Sequence, residues 1–168
     1  MRALLPLLLT GLLGAAACST APEAPTAAPT ISPAAAPAPI ENYDWRFFSD
    51  GDEASLAFGL DESDDVWLDL DCRRGAGTLS MVVPAALDAP RTIRLEAGGE
   101  IAAYAAQAEP SELDEGVFLI AHAPASDTVF RRFREAGWMT IEQAGERHPM
   151  VPHPGSGPNI ERFFAFCG

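Results

Sequence analysis

The sequence predicts an α+β fold: mostly antiparallel sheet forming a β-sandwich or partial barrel, with a short helix before the last strand and a C-terminal helix packed on the sheet. Three observations carry this expectation. Short segments of alternating apolar and polar residues recur from residue 43 onward, separated by turn-forming clusters. Two later segments instead repeat their apolar side chains every three to four positions, which is helical spacing. No internal repeat of about 20 to 50 residues is visible, so solenoids and propellers find no support.

Taken in order, the expected strands are Trp45 to Phe48, Ala54 to Gly59, Val66 to Cys72 and Thr78 to Val83, then Thr92 to Ala97, Glu100 to Gln107, Val117 to Ala123 and Trp138 to Gln143. The breaks hold Ser49-Asp50-Gly51-Asp52, Arg74-Gly75-Ala76-Gly77, Gly98-Gly99 and Ala144-Gly145. Side chains of this kind either bond back to the backbone or permit positive φ, so the chain reverses there at little cost. Gly98-Gly99 is the sharpest signal, because a two-residue hairpin turn needs positive φ, which glycine reaches at little cost.

A helix is expected after Ser126-Asp127, with an N-cap and an acid at its start, Val129, Phe130, Phe133 and Ala136 on one face, three arginines, and Gly137 as its stop. A second is expected from about Pro158 to Cys167, where Ile160, Phe163, Phe164 and Cys167 fall on one stripe.

The chain begins with one positive charge, Arg2, and runs uncharged from Ala3 to Ala17. A spanning helix needs about 20 apolar residues, and this run is shorter and interrupted by Pro6, Gly11 and Gly14. A charged start, an apolar middle and small residues at the end make residues 1–17 a cleavable export signal. Ala15-Ala16-Ala17 leads directly into Cys18, which resembles the lipobox of bacterial lipoproteins. The usual leucine three places before the cysteine is here Ala15. The resemblance implies lipidation of Cys18 and attachment to a membrane through that lipid. Ser19 follows, where lipoproteins kept in the inner membrane often carry Asp, so the expected place is the outer membrane, facing the periplasm.

Residues 18–42 are rich in proline and alanine, with Pro22, Pro25, Pro29, Pro33, Pro37 and Pro39, and lack the apolar side chains a core requires. Such a stretch favours extended polyproline geometry, so it reads as a disordered tether reaching at most roughly 75 Å at about 3.1 Å per residue. Residues 43–168 then form a single domain of a size that buries its own core.

The net charge is −13, and lysine is absent. All acids except Glu23 and Glu41, and all arginines except Arg2, lie in the domain. An acidic body repels phosphate backbones and anionic head groups, which disfavours nucleic acid as a partner.

With Cys18 lipidated, Cys72 and Cys167 remain as a pair in an oxidising compartment. Alternation puts Cys72 on the same face as Val66, Leu68 and Leu70, and Cys167 lies on the apolar stripe of the last helix. Both sulfurs therefore point inward, and a disulfide between them is expected to fasten the last helix to the sheet.

Chemistry is harder to find. Gly-x-Ser-x-Gly, a catalytic-cysteine context and Ser-x-x-Lys are all missing. His148 and His153 fall in the proline-rich segment Arg147 to Pro154, expected to be an extended loop, which denies them the helical spacing of a zinc pair. The run Asp61-Glu62-Ser63-Asp64-Asp65 lacks the order of an EF-hand, so a solvated turn is expected; Asp61, Asp64 and Asp65 are the only cation candidates. Gly155-Ser156-Gly157, at the start of the last helix, reads as a cap and turn, with anion binding as the alternative.

The outward row Trp67, Asp69, Asp71 offers a candidate partner-binding surface, unless a helix covers it and makes Trp67 core. No catalytic residue and no cofactor is assigned. The expectation is a non-catalytic envelope lipoprotein that binds an envelope protein or polymer. The alternatives are a small envelope enzyme using clustered carboxylates with a loop histidine such as His148, and a cation-binding module.

Overall fold

The computed structural model describes residues 36–112 and 115–168. The export signal, Cys18 and the tether up to Ala35 lie outside the described residues. Four strands open the fold as a meander: β1 (Tyr43–Asp50), β2 (Glu53–Leu60), β3 (Val66–Arg73) and β4 (Thr78–Ala85). The next pair, β5 (Thr92–Ala97) and β6 (Glu100–Ala105), belongs to a second sheet, and β7 (Gln107–Pro110) and β8 (Val117–Pro124) return to the first. After α1 (Thr128–Ala136) come β9 (Met139–Gln143) and β10 (Glu146–Met150), and α2 (Gly157–Cys167) ends the chain. The sheets run in the orders β1-β2-β3-β4-β8-β7 and β10-β9-β5-β6. Every pairing is antiparallel, so the expected α+β sandwich is the observed class.

Three differences from expectation have physical causes. The single strand expected over Glu100 to Gln107 divides at Ala106, where the chain leaves one sheet and enters the other, a corner of the kind that joins crossed sheets. The loop expected around His148 is strand β10. Its Pro149 is tolerated because β10 lies at the edge of its sheet, where a missing N–H costs no ladder bond. The first helix therefore precedes a terminal hairpin rather than one last strand. It starts at Thr128 with Asp127 in the N-cap position, but the Asp127 carboxylate accepts the Tyr104 hydroxyl at 3.1 Å instead of a helix N–H. Gly137 ends it at φ 75, the left-handed geometry that glycine reaches without steric penalty.

Both helices pack on the inner side of the sandwich, α2 against β1, β2 and β3, and α1 against β5 and β6. Trp45, Phe58, Phe130, Phe133 and Phe163 are wholly buried between these layers. The rings of Trp45 and Phe133 lie 4.9 Å apart, and Trp45 donates its indole N–H to the Met150 carbonyl at 3.1 Å, which satisfies the one polar atom the ring carries inward.

Cys72 on β3 and Cys167 on α2 form the expected disulfide, with Cα atoms 5.7 Å apart. The β3–β4 turn reinforces it. Gly75 and Gly77 donate their N–H groups to the carbonyls of Phe166 and Cys167, at 3.1 and 3.0 Å. Arg74 places its guanidinium 3.9 Å from the centre of the Phe166 ring. The other end of α2 is held by β1, since Asn159 donates to the Trp45 carbonyl at 3.0 Å and the Ser156 hydroxyl donates to Asp44. Contacts to the body begin before β1: the Ile40 carbonyl lies 2.8 Å from His153 Nε2, and the Asn42 carbonyl accepts the Asp61 N–H at 3.1 Å.

Candidate functional site

With both helices on the inner side, the outer face of the six-stranded sheet is left without a covering element among the described residues. Register builds that face. One row across the strands is Phe48, Ser55, Asp71, Ser80 and His122; the next is Arg46, Ala57, Asp69, Val82 and Ile120. An antiparallel sheet with one wet side normally turns polar residues outward. Here Ala57, Val82 and Ile120 are buried or half-buried, and Phe48 stands 58 % exposed at the margin. Beside them the sheet carries a groove of about 840 Å³ whose lining includes Phe48, Glu53, Ser55, Asp71, Arg73 and Ser80.

Asp69 and Asp71 sit in this face side by side on β3. The Ser55 hydroxyl of the neighbouring strand donates to Asp69. Burial raises Asp69 above the ordinary carboxylate range, against the Ser55 bond and the Leu70 N–H, which pull it back. Burial pushes Asp71 up to about 6, and the charge of Asp69 adds to it; Ser55 opposes the shift, and Glu53 contributes a smaller increase. Among the described residues neither carboxylate belongs to an ion pair, and the nearby Arg73 faces Glu53 at 4.0 Å. His122 lies in the Asp71 row, one strand beyond Ser80.

Two half-buried carboxylates without a cation destabilise the folded state wherever they are ionised. The folded-state pKa of Asp71 lies above its unfolded value, so the folded form binds the proton more tightly. Its cost is absent below about pH 4 and complete once pH has risen past about 6. Linkage caps the cost at about 3 kcal/mol, and solvent screening of a half-open site reduces it to about 1 kcal/mol. Asp71→Asn is therefore expected to stabilise the protein by about 1 kcal/mol at pH 7.5 and by almost nothing at pH 4. Urea unfolding of both proteins across that range measures the difference. A variant less stable than the parent at pH 7.5 would contradict the account.

Trp67 does not share the face. The β2–β3 register shifts between Phe58 and Gly59, so Trp67 is an extra residue without a partner opposite it, a β-bulge. Its ring packs against Tyr43, Phe58 and His148 at 4.9, 5.7 and 5.0 Å, at the rim of the core. The expected row Trp67, Asp69, Asp71 is thus broken by the bulge: the two acids face outward, and the tryptophan joins an aromatic cluster instead. No helix covers it. The residues that complete the face, Phe48, Ser55, Val82 and Ile120, come from other strands, and only the pairing register brings them together.

The remaining candidates are dispersed. Asp61 pairs with Arg46 at 3.0 Å, Asp65 accepts the Tyr43 hydroxyl, and Asp64 is exposed in the turn. No set of three or more His, Cys, Asp or Glu side chains converges as metal ligands among the described residues. The carboxylate beside His148 is that of Glu146, 3.9 Å away and open to solvent. Asp44, His153 and Ser156 are the residue types of a nucleophilic triad, yet they are wired for another purpose. Ser156 and the His153 backbone N–H both donate to Asp44, while the His153 ring turns to the Ile40 carbonyl. The serine hydroxyl meets the carboxylate and not the imidazole, and the chain's own carboxylate caps the loop before α2, where an anion was the alternative expectation.

No family model, no curated protein and no solved structure matches this chain.

Proposed function

We propose that the protein is a non-catalytic lipoprotein of a bacterial cell envelope, held by lipid on Cys18 in the outer membrane and facing the periplasm. In this reading it binds an envelope protein or polymer on the outer face of its six-stranded sheet. One observation carries the binding role: Asp69 and Asp71 stand half-buried, without an ion pair among the described residues, in a sheet face that neither helix covers. Folding alone gains nothing from ionised carboxylates so placed, and proteins accept such costs mostly where a ligand relieves them. The lipobox-like end of the leader and the proline-rich stretch after it support a body hung clear of a bilayer.

Two measurements test this. Mass spectrometry of the mature protein is expected to show Cys18 as the first residue, carrying acyl chains. A photo-crosslinker replacing Val82 is expected to trap the same envelope component in independent preparations, while one at Ile101, exposed on the four-stranded sheet, does not. An unmodified thiol at position 18 overturns the anchor, and indistinguishable capture from the two positions overturns the docking face.

A further inference from the structure

Resting on that reading of the sheet face, we propose that its partner is a polypeptide that lays an extended, arginine- or lysine-bearing segment along β3, seating basic side chains on Asp69 and Asp71. Spacing is the first argument. The two carboxylates are two residues apart on one strand, which is roughly 6.6 Å at about 3.3 Å per residue. An extended segment presents its own side chains on one face with that same period, so alternate basic residues meet successive acids without either chain bending. Charge is the second. The chain carries a net charge of −13, and the groove beside Asp71 adds Glu53 and Asp50 to the same side, with Arg73 as its one basic lining residue. A guanidinium fits a carboxylate through two parallel N–H bonds, and the low-dielectric setting of a half-buried acid strengthens such a pair.

The third argument is the company the acids keep. Val82 and Ile120 extend the Asp69 row, and Phe48 stands exposed at the end of the Asp71 row. Basic side chains bring aliphatic stems that cover such surface, and apolar neighbours in the segment would cover more. An amino-sugar polymer offers the cations without the apolar groups, so the face suits it less well.

The test uses a fluorescein-labelled decapeptide of alternating arginine and valine, followed by anisotropy with the intact mature protein at pH 7.5. Saturable binding is expected. The double variant Asp69→Asn/Asp71→Asn is expected to weaken it at least 10-fold, while Asp88→Asn/Glu100→Gln, which removes the same charge elsewhere, changes it less than 2-fold. Because neutralising the face should stabilise the fold, loss of binding cannot be ascribed to unfolding, and a melting curve of each variant checks this. The proposal is overturned if the peptide does not bind, if both double variants lose binding equally, or if a chitosan oligosaccharide binds the face more tightly than the peptide. Selective trapping at Val82 together with any of those results would leave the docking face standing and remove the basic polypeptide as its occupant.

Discussion

Replacing Cys72 and Cys167 together with alanine is expected to lower the stability of the folded body by about 4 to 5 kcal/mol and its Tm by roughly 10 to 20 °C. The bridge closes a loop over a sequence separation of 95 residues, so most of the loss arises in the unfolded chain, which regains the freedom the crosslink denied it. Total stabilities of domains this size are about 5 to 15 kcal/mol, so the variant should stand near the edge of folding at physiological temperature. Calorimetry of the double variant, and of the parent with and without reductant, measures the effect. A fall in Tm of under about 3 °C would mean that the backbone bonds from Gly75 and Gly77 and the Arg74–Phe166 contact hold α2 without the sulfurs.

The second large effect is expected at Trp45. Its ring is fully buried, 5.2 Å from Phe58 and 4.9 Å from Phe133, and its N–H is the donor to the Met150 carbonyl. Trp45→Ala removes all of this and leaves a cavity under α1, at an expected cost of about 4 kcal/mol or more. Trp45→Phe keeps most of the packing but loses the hydrogen bond to the Met150 carbonyl and part of the ring, for about 1 to 2 kcal/mol. Phe48→Ala, an equally drastic truncation on the exposed margin, is expected to change stability by less than about 0.5 kcal/mol. Urea unfolding of the three variants should rank them in that order. Equal costs at positions 45 and 48 would show that the assignment of inner and outer faces is wrong.

Much of the architecture was legible because it rests on period and parity. Alternation over Val66 to Cys72 aimed Cys72 inward, helical spacing aimed Cys167 inward, and the disulfide followed from the two together. Gly98 and Gly99, at φ 55 and 83, occupy the hairpin turn that their pairing implied. What escaped depends on contacts between distant segments. A proline cannot be told apart as a loop residue or an edge-strand residue until the order of strands is known, and so β10 read as loop. The switch of sheets at Ala106 leaves no local mark, because alanines on both sides suit either strand. Trp67 was misplaced by one extra residue: parity counted along Val66 to Cys72 assumes an unbroken ladder, and the bulge breaks it. The acids of the candidate face are legible from parity along β3, whereas Ser55, Val82 and Ile120 reach it through register that no single strand encodes.

The bonds that tie α2 at both ends have a mechanical consequence. β1 is joined to α2 through Asp44 and Trp45, α2 to β3 through the covalent sulfurs, and β3 to β1 through β2, so these elements form a closed ring. Tension applied upstream of Pro39 first meets Ile40 and Asn42, clipped to His153 and Asp61, and only then the leading strand. Peeling that strand away would drag the helix with it, and the helix cannot leave while the sulfurs hold. The load is therefore shared around the ring instead of concentrating on one seam, and a tug on the leading end is resisted by the trailing one.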